Sequence, residues 1–289
     1  MEKIVKKSIE QLAKIVVSSS KYKPSAHDTA RMLYDEIKKK NKNVLLDLDS
    51  KFDYHAKHSD TELIVAVGGD GTLLSLARRL VGVSIPTIGV NMGKLGFLAE
   101  HSPSDVLEYI HGKTSKLTIS PKMMLQVKIN GNDKPYYALN DVLLAQGVMT
   151  KLINIHMHVD DRHATNYFAD GVVISTPVGS TSYSLSLGGP ILSQGLRSMV
   201  ITPIAPHRLT DRPIVIEGKS KLKFGIESKR ELDELALVMD GQDRVDLKSG
   251  DRFSVSAAAT DFLLVSSPKK SYFDILRHKL AWGQQLNRK

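Results

Sequence analysis

The 289-residue sequence has no cysteine, a single tryptophan and only 6% aromatic residues. The lack of cysteine excludes disulfides, thiolate catalysis and cysteine-ligated zinc, and it is typical of a cytoplasmic protein. No apolar run approaches the roughly 18 residues that a membrane-spanning helix needs, and the basic N-terminus lacks the uninterrupted apolar core of a signal peptide. We therefore predict a cytoplasmic protein without a membrane partner.

Dense clusters of like charge are also scarce. The chain has 40 basic and 31 acidic residues, a formal net charge of +9, and such an excess favours anionic partners such as nucleotides or polyphosphates. The basic residues are scattered except for Lys38–Lys40, which ends a predicted helix where cations offset the helix dipole. We expect no nucleic-acid interface.

Three common nucleotide-binding and hydrolase motifs are missing. Gly112-Lys113-Thr114 and Gly218-Lys219-Ser220 resemble the end of a Walker A loop, but neither is preceded by the glycine that opens that loop. No G-x-G-x-x-G follows a predicted strand, and no G-x-S-x-G occurs. These absences exclude a P-loop, the standard dinucleotide fingerprint and a hydrolase serine.

A glycine-rich turn is the most informative feature that is present. Leu63–Val67 is apolar throughout and is followed by Gly68-Gly69-Asp70-Gly71-Thr72, a pattern that predicts a strand buried on both faces and then a sharp turn. Apolar residues at helical spacing begin at Leu73, so the free N–H groups of a helix start would attract an anion beside the Asp70 carboxylate. This arrangement suits phosphoryl transfer; a plain turn capped by Asp70 and Thr72 is the alternative.

The pattern of predicted elements changes once along the chain. Up to residue 115, strands alternate with helices, which indicates a Rossmann-like α/β domain. From residue 116 to 267, alternating apolar residues and the Asn130-Gly131 turn predict a β-sandwich. The strand that returns from this turn is predicted from Tyr137 to Ala145. Residues 268–289 are predicted to form a helix that joins the first domain. The predicted strands of the first domain are residues 13–19, 43–48, 63–67 and 87–90, and capping boxes at Ser25 and Ser102 are predicted to begin two of its helices.

A second polar segment follows the predicted strand at residues 171–175. Asp170 precedes this strand, and the serine-rich residues 179–190 come after it. Small hydroxyl side chains can bind ribose, amide and phosphate groups, and Tyr183 offers a ring for stacking. A serine-rich helix start that only caps itself is the alternative.

These motifs together resemble the NAD kinase family. The resemblance runs from about residue 60 to 245, in the family's order. GGDGT alone is shared with lipid kinases and, in a related form, with phosphofructokinases, whereas residues 170–190 and the stretch Asn91–Leu98 separate this chain from both. The matching segments are Gly68–Thr72, Pro86–Asn91, Gly93–Leu98, Asn140-Asp141, Asp170–Pro190 and Asp240–Gln242.

The resemblance implies phosphorylation of the 2′-hydroxyl of the adenosine ribose of NAD by ATP, giving NADP. It implies Asp70 as the general base, and Gly68, Gly69, Gly71 and Thr72 as the loop for the donor phosphates. A divalent cation, expected to be Mg²⁺, would be bound through phosphate oxygens, so no metal-ligating residue is predicted. A lipid or sugar kinase and a non-catalytic dinucleotide sensor are the competing functions.

The resemblance also implies the residues that bind NAD and a homodimer or homotetramer. Asp170 is expected at the nicotinamide carboxamide, and the Asn140-Asp141 pair at the adenosine. The sequence does not decide between ATP and polyphosphate as donor, although the resemblance favours ATP. The NAD-binding residues so implied are Asp70, Gly71, Phe97, Asn140, Asp141, Lys151, Asp170, Thr181, Ser182, Tyr183, Ser184, Leu185, Ser186 and Gln242.

Overall fold

The computed structural model describes residues 3–5, 7–20, 23–113, 116–146, 152–228 and 235–284. The chain divides into two compact units. The first consists of Met1–Pro121 and Phe262–Lys289, and the second is Lys122–Asp261.

The described residues form five α-helices and nineteen β-strands. The helices are α1 (Pro24–Lys38), α2 (Asp70–Arg79), α3 (Pro103–Ile110), α4 (Tyr183–Ser186) and α5 (Tyr272–Leu280). The strands are β1 (Lys3–Val5), β2 (Ile15–Ser19), β3 (Val44–Asp47), β4 (Leu63–Val67), β5 (Thr87–Val90), β6 (Leu117–Lys122), β7 (Leu125–Ile129), β8 (Tyr136–Ala138), β9 (Asp141–Gln146), β10 (Ile153–Val159), β11 (Arg162–Ala169), β12 (Gly171–Ser175), β13 (Ser198–Ile204), β14 (Ile214–Glu217), β15 (Leu222–Glu227), β16 (Leu235–Met239), β17 (Asp243–Leu247), β18 (Arg252–Ala257) and β19 (Phe262–Ser266).

The first unit is built on a seven-stranded sheet with the order β1-β6-β19-β5-β4-β2-β3. Its central strands β2, β4 and β5 pair in parallel and are buried at every position, as the uninterrupted apolar sequence of β4 predicted for that strand. β6 and β19 also belong to this sheet, although the sequence analysis placed their residues with the β-sandwich. β19 pairs in parallel with β5, through Leu264 beside Thr87, and a short apolar segment carries no local signal of which sheet it joins.

The strand order identifies a switch point in this sheet. β2 lies between β3 and β4. The chain therefore passes from β2 to β3 on one side of it, and then crosses to β4 on its other side. In open α/β sheets, ligands bind in the crevice at the carboxyl ends of the strands where the order reverses in this way. Here Ser20, which follows β2, and the turn that begins at Gly68 stand at those ends.

One of the two predicted capping boxes is found at the start of a helix. Ser102 accepts a hydrogen bond from the Asp105 N–H at the start of α3, so that predicted capping box is confirmed. The box predicted at Ser25 is wrong, because α1 begins at Pro24 with Lys23 as its N-cap; a proline in the first turn fits a helix start without help from a side-chain cap. Among the described residues, no helix combines the length and hydropathy needed to cross a membrane.

The second unit consists of two antiparallel sheets of six strands each. One has the order β11-β10-β15-β18-β7-β8 and the other β14-β13-β12-β9-β16-β17. Alternate residues of both sheets form one apolar core, with Ile155 and Phe224 from the first and Val142 and Ile174 from the second. Two sheets that share such a core form a β-sandwich.

One predicted strand of the second unit is split between its two sheets. The Asn130-Gly131 turn joins β7 to the returning strand β8, which pairs with β7 from Tyr136 to Ala138, as predicted. The return strand predicted from Tyr137 to Ala145 is wrong, because β8 ends at Ala138 and β9 begins at Asp141 in the other sheet. Leu139 and Asn140 therefore cross from one sheet to the other.

Candidate active site

The glycine turn, residues 68–72, forms the start of α2 at the carboxyl end of β4. The Gly68 N–H donates to the Val90 carbonyl at 2.9 Å, and the Thr72 N–H donates to the Gly69 carbonyl at 3.0 Å. A Cβ on Gly68 would collide with the Thr72 hydroxyl, so the turn requires glycine there. Gly69 is extended and Asp70 is the first helical residue, so the positive end of the α2 dipole lies at the carboxyl end of β4.

The Asp70 carboxylate binds the backbone of the next loop. Its Oδ2 accepts the Phe97 N–H at 2.8 Å, and its Oδ1 accepts the Leu98 and Ala99 N–H groups at 3.1 and 3.0 Å. A Cβ on Gly96 would overlap this carboxylate. The structure thus brings together the predicted site residues Asp70 and Phe97, and it explains the glycine at position 96.

The chemistry open to Asp70 depends on which hydrogen-bond acceptor positions of its carboxylate are still free of backbone N–H groups. A carboxylate offers about two acceptor positions on each oxygen. Oδ1 accepts two of the backbone hydrogen bonds and Oδ2 accepts one, which leaves one position on Oδ2. Asp70 is half-buried, so the residue is partly open to a ligand.

A second polar side chain, that of Asn91, forms hydrogen bonds with the backbone of the same loop, which follows β5. Its buried amide donates to the Ala99 and His101 carbonyls at 3.3 and 2.9 Å, and its Oδ1 accepts the Gly93 N–H at 3.2 Å. The ammonium of Lys279 on α5 lies 5.8 Å from the centre of the Phe97 ring. Sequence reasoning did not assign Asn91 to the site, although it lies in one of the matching segments.

In the second unit, the Asp240 carboxylate holds another backbone segment in the same manner. It accepts the N–H groups of Leu139 at 3.0 Å, Asn140 at 2.7 Å and Asp141 at 3.3 Å. Asp240 is buried, with a φ of 53°, a conformation that Asp tolerates better than most residues. Asp240 therefore orients the predicted Asn140-Asp141 pair, a role that sequence reasoning did not assign.

Asp141 itself is buried between Asp240 and the serine-rich segment. Burial raises the pKa of the Asp141 carboxyl to about 7, the charge of Asp240 adds to the rise, and a hydrogen bond from Ser182 opposes it. Near neutral pH this carboxyl is therefore present in both forms and can either accept from or donate to a ligand hydroxyl.

The backbone around Asn140 is packed against the residues that follow β12. The Asn140 carbonyl accepts the Thr176 N–H at 2.9 Å, and the Thr176 hydroxyl donates to the Leu139 carbonyl at 2.6 Å. A Cβ on Gly179 would overlap the Asn140 carbonyl. Asn140, Asp141 and the start of the serine-rich segment thus form one cluster.

Several hydroxyls of the serine-rich segment are used inside the protein. Thr181 donates to the Val178 carbonyl at 3.1 Å, and Ser184 is buried and bonded to Thr202 at 2.9 Å. The Thr181 contact is local, as in the capping alternative, whereas the Ser184 contact joins α4 to β13. Tyr183 is 42% exposed and Ser186 is also exposed, whereas Ser182 and Leu185 are half-buried. The exposed part of α4 is therefore the part that can contact a ligand.

Three predicted residues lie apart from this cluster or outside the described residues. Asp170 stands at the opposite end of β12 from Asp141, because Ser175 pairs with Asp141 and Gly171 pairs with Ala145; the separation is about 17 Å at the usual rise of a strand. Gln242 is exposed, two residues beyond Asp240. Lys151 lies outside the described residues.

The sequence matches family models and curated relatives over most of its length. The family model described as ATP-NAD kinase N-terminal domain matches residues 1–112, and the ATP-NAD kinase C-terminal domain matches residues 139–267. Among curated relatives, the NAD kinase of Trichlorobacter lovleyi is 43% identical, with 78% of this chain and 80% of the relative covered. The NAD kinase of Geotalea daltonii is 39% identical, with 80% and 84% covered.

Solved structures show the same fold. Yeast NADH kinase complexed with NADH has a TM-score of 0.81 at 23% identity and covers 96% of this chain and 89% of its own. An NAD kinase from Archaeoglobus fulgidus in complex with ATP has a TM-score of 0.72 at 23% identity, with 93% and 98% covered. The predicted fold class, an α/β domain with a β-sandwich domain, is confirmed.

Proposed function

The chain belongs to the NAD kinase family, and on that premise we propose that it transfers the γ-phosphoryl group of ATP to the 2′-hydroxyl of the adenosine ribose of NAD, giving NADP. The relatives named NAD kinase support the acceptor, and the two ATP-NAD kinase domains support the donor. The observation that carries the mechanism is the Asp70 carboxylate, fixed by three backbone N–H groups with one acceptor position remaining.

In the proposed reaction, Asp70 acts as the general base. The 2′-hydroxyl donates its proton to Oδ2 as its oxygen attacks the γ-phosphorus, the bond to the bridging oxygen breaks, and ADP leaves. A base held within hydrogen-bond distance contributes about 10²- to 10⁴-fold in rate. Gly68, Gly69, Gly71 and Thr72 form the loop that holds the donor phosphates, because the start of α2 favours negative charge.

The proposed NAD contacts are assigned residue by residue. Asn140 and Asp141 bind the adenosine part, and the partly protonated Asp141 carboxyl suits a ribose hydroxyl that both donates and accepts. Tyr183 stacks on a ring of the dinucleotide, and Asp170 accepts from the nicotinamide carboxamide. The remaining proposed contacts are Gly71, Phe97, Lys151, Thr181, Ser182, Ser184, Leu185, Ser186 and Gln242.

We also propose that Mg²⁺ is bound through the phosphate oxygens of ATP. No group of three His, Asp or Glu side chains within the described ranges could hold a metal ion, and the one carboxylate of the glycine turn already accepts three N–H groups. Mg²⁺ is commonly held in this way by substrate phosphates with few protein ligands. When bound there, it neutralises phosphate charge.

We infer a cytoplasmic location from the absence of cysteine, and a homodimer or homotetramer from the family resemblance. The first unit is proposed to bind the phosphate donor, and the second to supply most of the contacts to NAD.

The proposed function is tested by incubating the purified protein with NAD, ATP and Mg²⁺. The product is identified by mass spectrometry and by its reduction to NADPH by an NADP-specific dehydrogenase and that enzyme's substrate. We expect NADP, with phosphate at the 2′ position. Parallel reactions supply polyphosphate as donor, and diacylglycerol or a sugar as acceptor. Turnover of a lipid or sugar without NADP would overturn the proposal in favour of the first alternative. Tight NAD binding without turnover would favour the sensor.

A further inference from the structure

The first unit contains a cation at the point where the phosphate donor is expected. The switch point of the sheet lies between the carboxyl ends of β2 and β4. The glycine turn follows β4. On the other side, the chain that leaves β2 reaches Lys23, the N-cap of α1. Two independent features, the strand order and the glycine turn, thus point to the same edge of the sheet.

The Lys23 side chain extends toward the glycine turn. Its Nζ lies 3.4 Å from the position that a Cβ on Gly69 would occupy. Lys23 is exposed, and no carboxylate within the described ranges pairs with its ammonium. An ammonium that is in no ion pair with any described residue and lies beside the positive end of the α2 dipole creates a positive potential that favours a polyanion.

The arginines nearest in sequence to the turn serve other purposes. Arg78 and Arg79 stand at the C-terminal end of α2. Arg78 donates to the Leu74 carbonyl at 3.3 Å. Arg79 donates to the Phe52 carbonyl at 2.7 Å and lies 3.6 Å from the Asp47 carboxylate. Neither is placed to neutralise charge at the start of the helix, and the chain has no Walker A lysine.

We propose that Lys23 binds the phosphate chain of ATP and neutralises the charge that the departing ADP acquires. Phosphoryl transfer depends mainly on positioning and on electrostatic stabilisation of phosphate oxygens, and an ammonium serves this purpose as a point charge. This inference rests on the proposed function, and it adds a residue that neither the sequence motifs nor the family resemblance assigned.

The test compares Lys23→Met, which keeps the length of the side chain but removes its charge, with Lys23→Arg. Lys42→Met is the matched control, because Lys42 is also exposed and precedes β3 at the opposite edge of the sheet. Steady-state kinetics would give kcat and the KM for each substrate. We expect Lys23→Met to raise the KM for ATP about tenfold, the effect of losing one charge-assisted hydrogen bond, and to lower kcat. The KM for NAD stays unchanged, Lys23→Arg recovers most of the loss, and Lys42→Met behaves as wild type.

Equilibrium binding of ATP separates this inference from the proposed function. A Kd for ATP that rises about tenfold in Lys23→Met supports the role of Lys23, even if the wild-type protein makes no NADP and the proposed function fails. An unchanged Kd and KM for ATP in Lys23→Met would overturn the inference. Equal changes in the KM for ATP and the KM for NAD would also overturn it, because they would indicate a general structural effect.

Discussion

His101 makes the stability of the first unit depend on pH. The residue is fully buried, and neither ring nitrogen has a partner at normal hydrogen-bond geometry in the part of the chain that the structure describes. Burial lowers the pKa of His101 to about 4, while the nearby charge of Asp105 partly opposes the shift. The backbone of His101 also accepts the Asn91 amide and so belongs to the loop that surrounds Asp70.

The sign and size of the effect follow from the two pKa values. The folded state keeps His101 neutral, whereas the unfolded chain takes up a proton near the ordinary pKa of 6.5. The contribution of His101 to the free energy of unfolding is therefore fully present above about pH 6.5 and is lost as the pH falls toward 4. At about pH 5 the loss is about 2 kcal/mol, from the difference in proton binding between the two states.

The assay is urea unfolding followed by the fluorescence of Trp282, the single tryptophan, which lies in the same unit. The comparison is between wild type and His101→Phe, a change that keeps a buried ring but removes the titration. His278→Phe is the control, because His278 is exposed on α5. We expect the free energy of unfolding of wild type, relative to His101→Phe, to fall by about 2 kcal/mol between pH 7.5 and pH 5. A constant difference across this range would refute the reasoning, since His101 would then titrate equally in both states.

Two further predictions concern the carboxylates that hold the backbone. Gly96→Ala should lower kcat by about tenfold or more, because the added methyl group displaces the Asp70 carboxylate. Gly195→Ala is the control: a Cβ there meets nothing within 4 Å, so this variant should have the kcat of wild type in the same assay. Asp240→Ala should raise the KM for NAD by about tenfold or more and leave the KM for ATP unchanged, because three N–H groups of residues 139–141 lose their acceptor. Equal KM values for NAD in the variant and in wild type would contradict this role of Asp240.

Local sequence signals predicted much of the first unit. β4 and β5 were predicted with their observed bounds, because an apolar run between turn residues is a complete local signal for a buried strand. The capping box at Ser102 also depends only on residues within one turn of helix. The glycine turn was recognised for the same reason.

Long-range contacts could not be predicted in this way. Asp70 binds N–H groups 27 to 29 residues away, and Asp240 binds N–H groups 99 to 101 residues away. No periodicity or motif indicates which carboxylate meets which backbone segment, because that is decided by how the strands assemble. The same reason explains why β19 was assigned to the wrong sheet, and why the bond between the Ser184 and Thr202 hydroxyls was not predicted.

The measurement that tests the central claim most directly is kcat for NADP formation from NAD and ATP in wild type and in Asp70→Asn, with the Kd for NAD measured by calorimetry. The asparagine oxygen can still accept the Leu98 and Ala99 N–H groups, but its amide cannot take the proton of the 2′-hydroxyl. The account predicts that kcat falls by about 100-fold or more while the Kd for NAD changes by less than about threefold. Near-normal turnover in Asp70→Asn would contradict the account and leave Asp70 only the role of holding the backbone at residues 97–99.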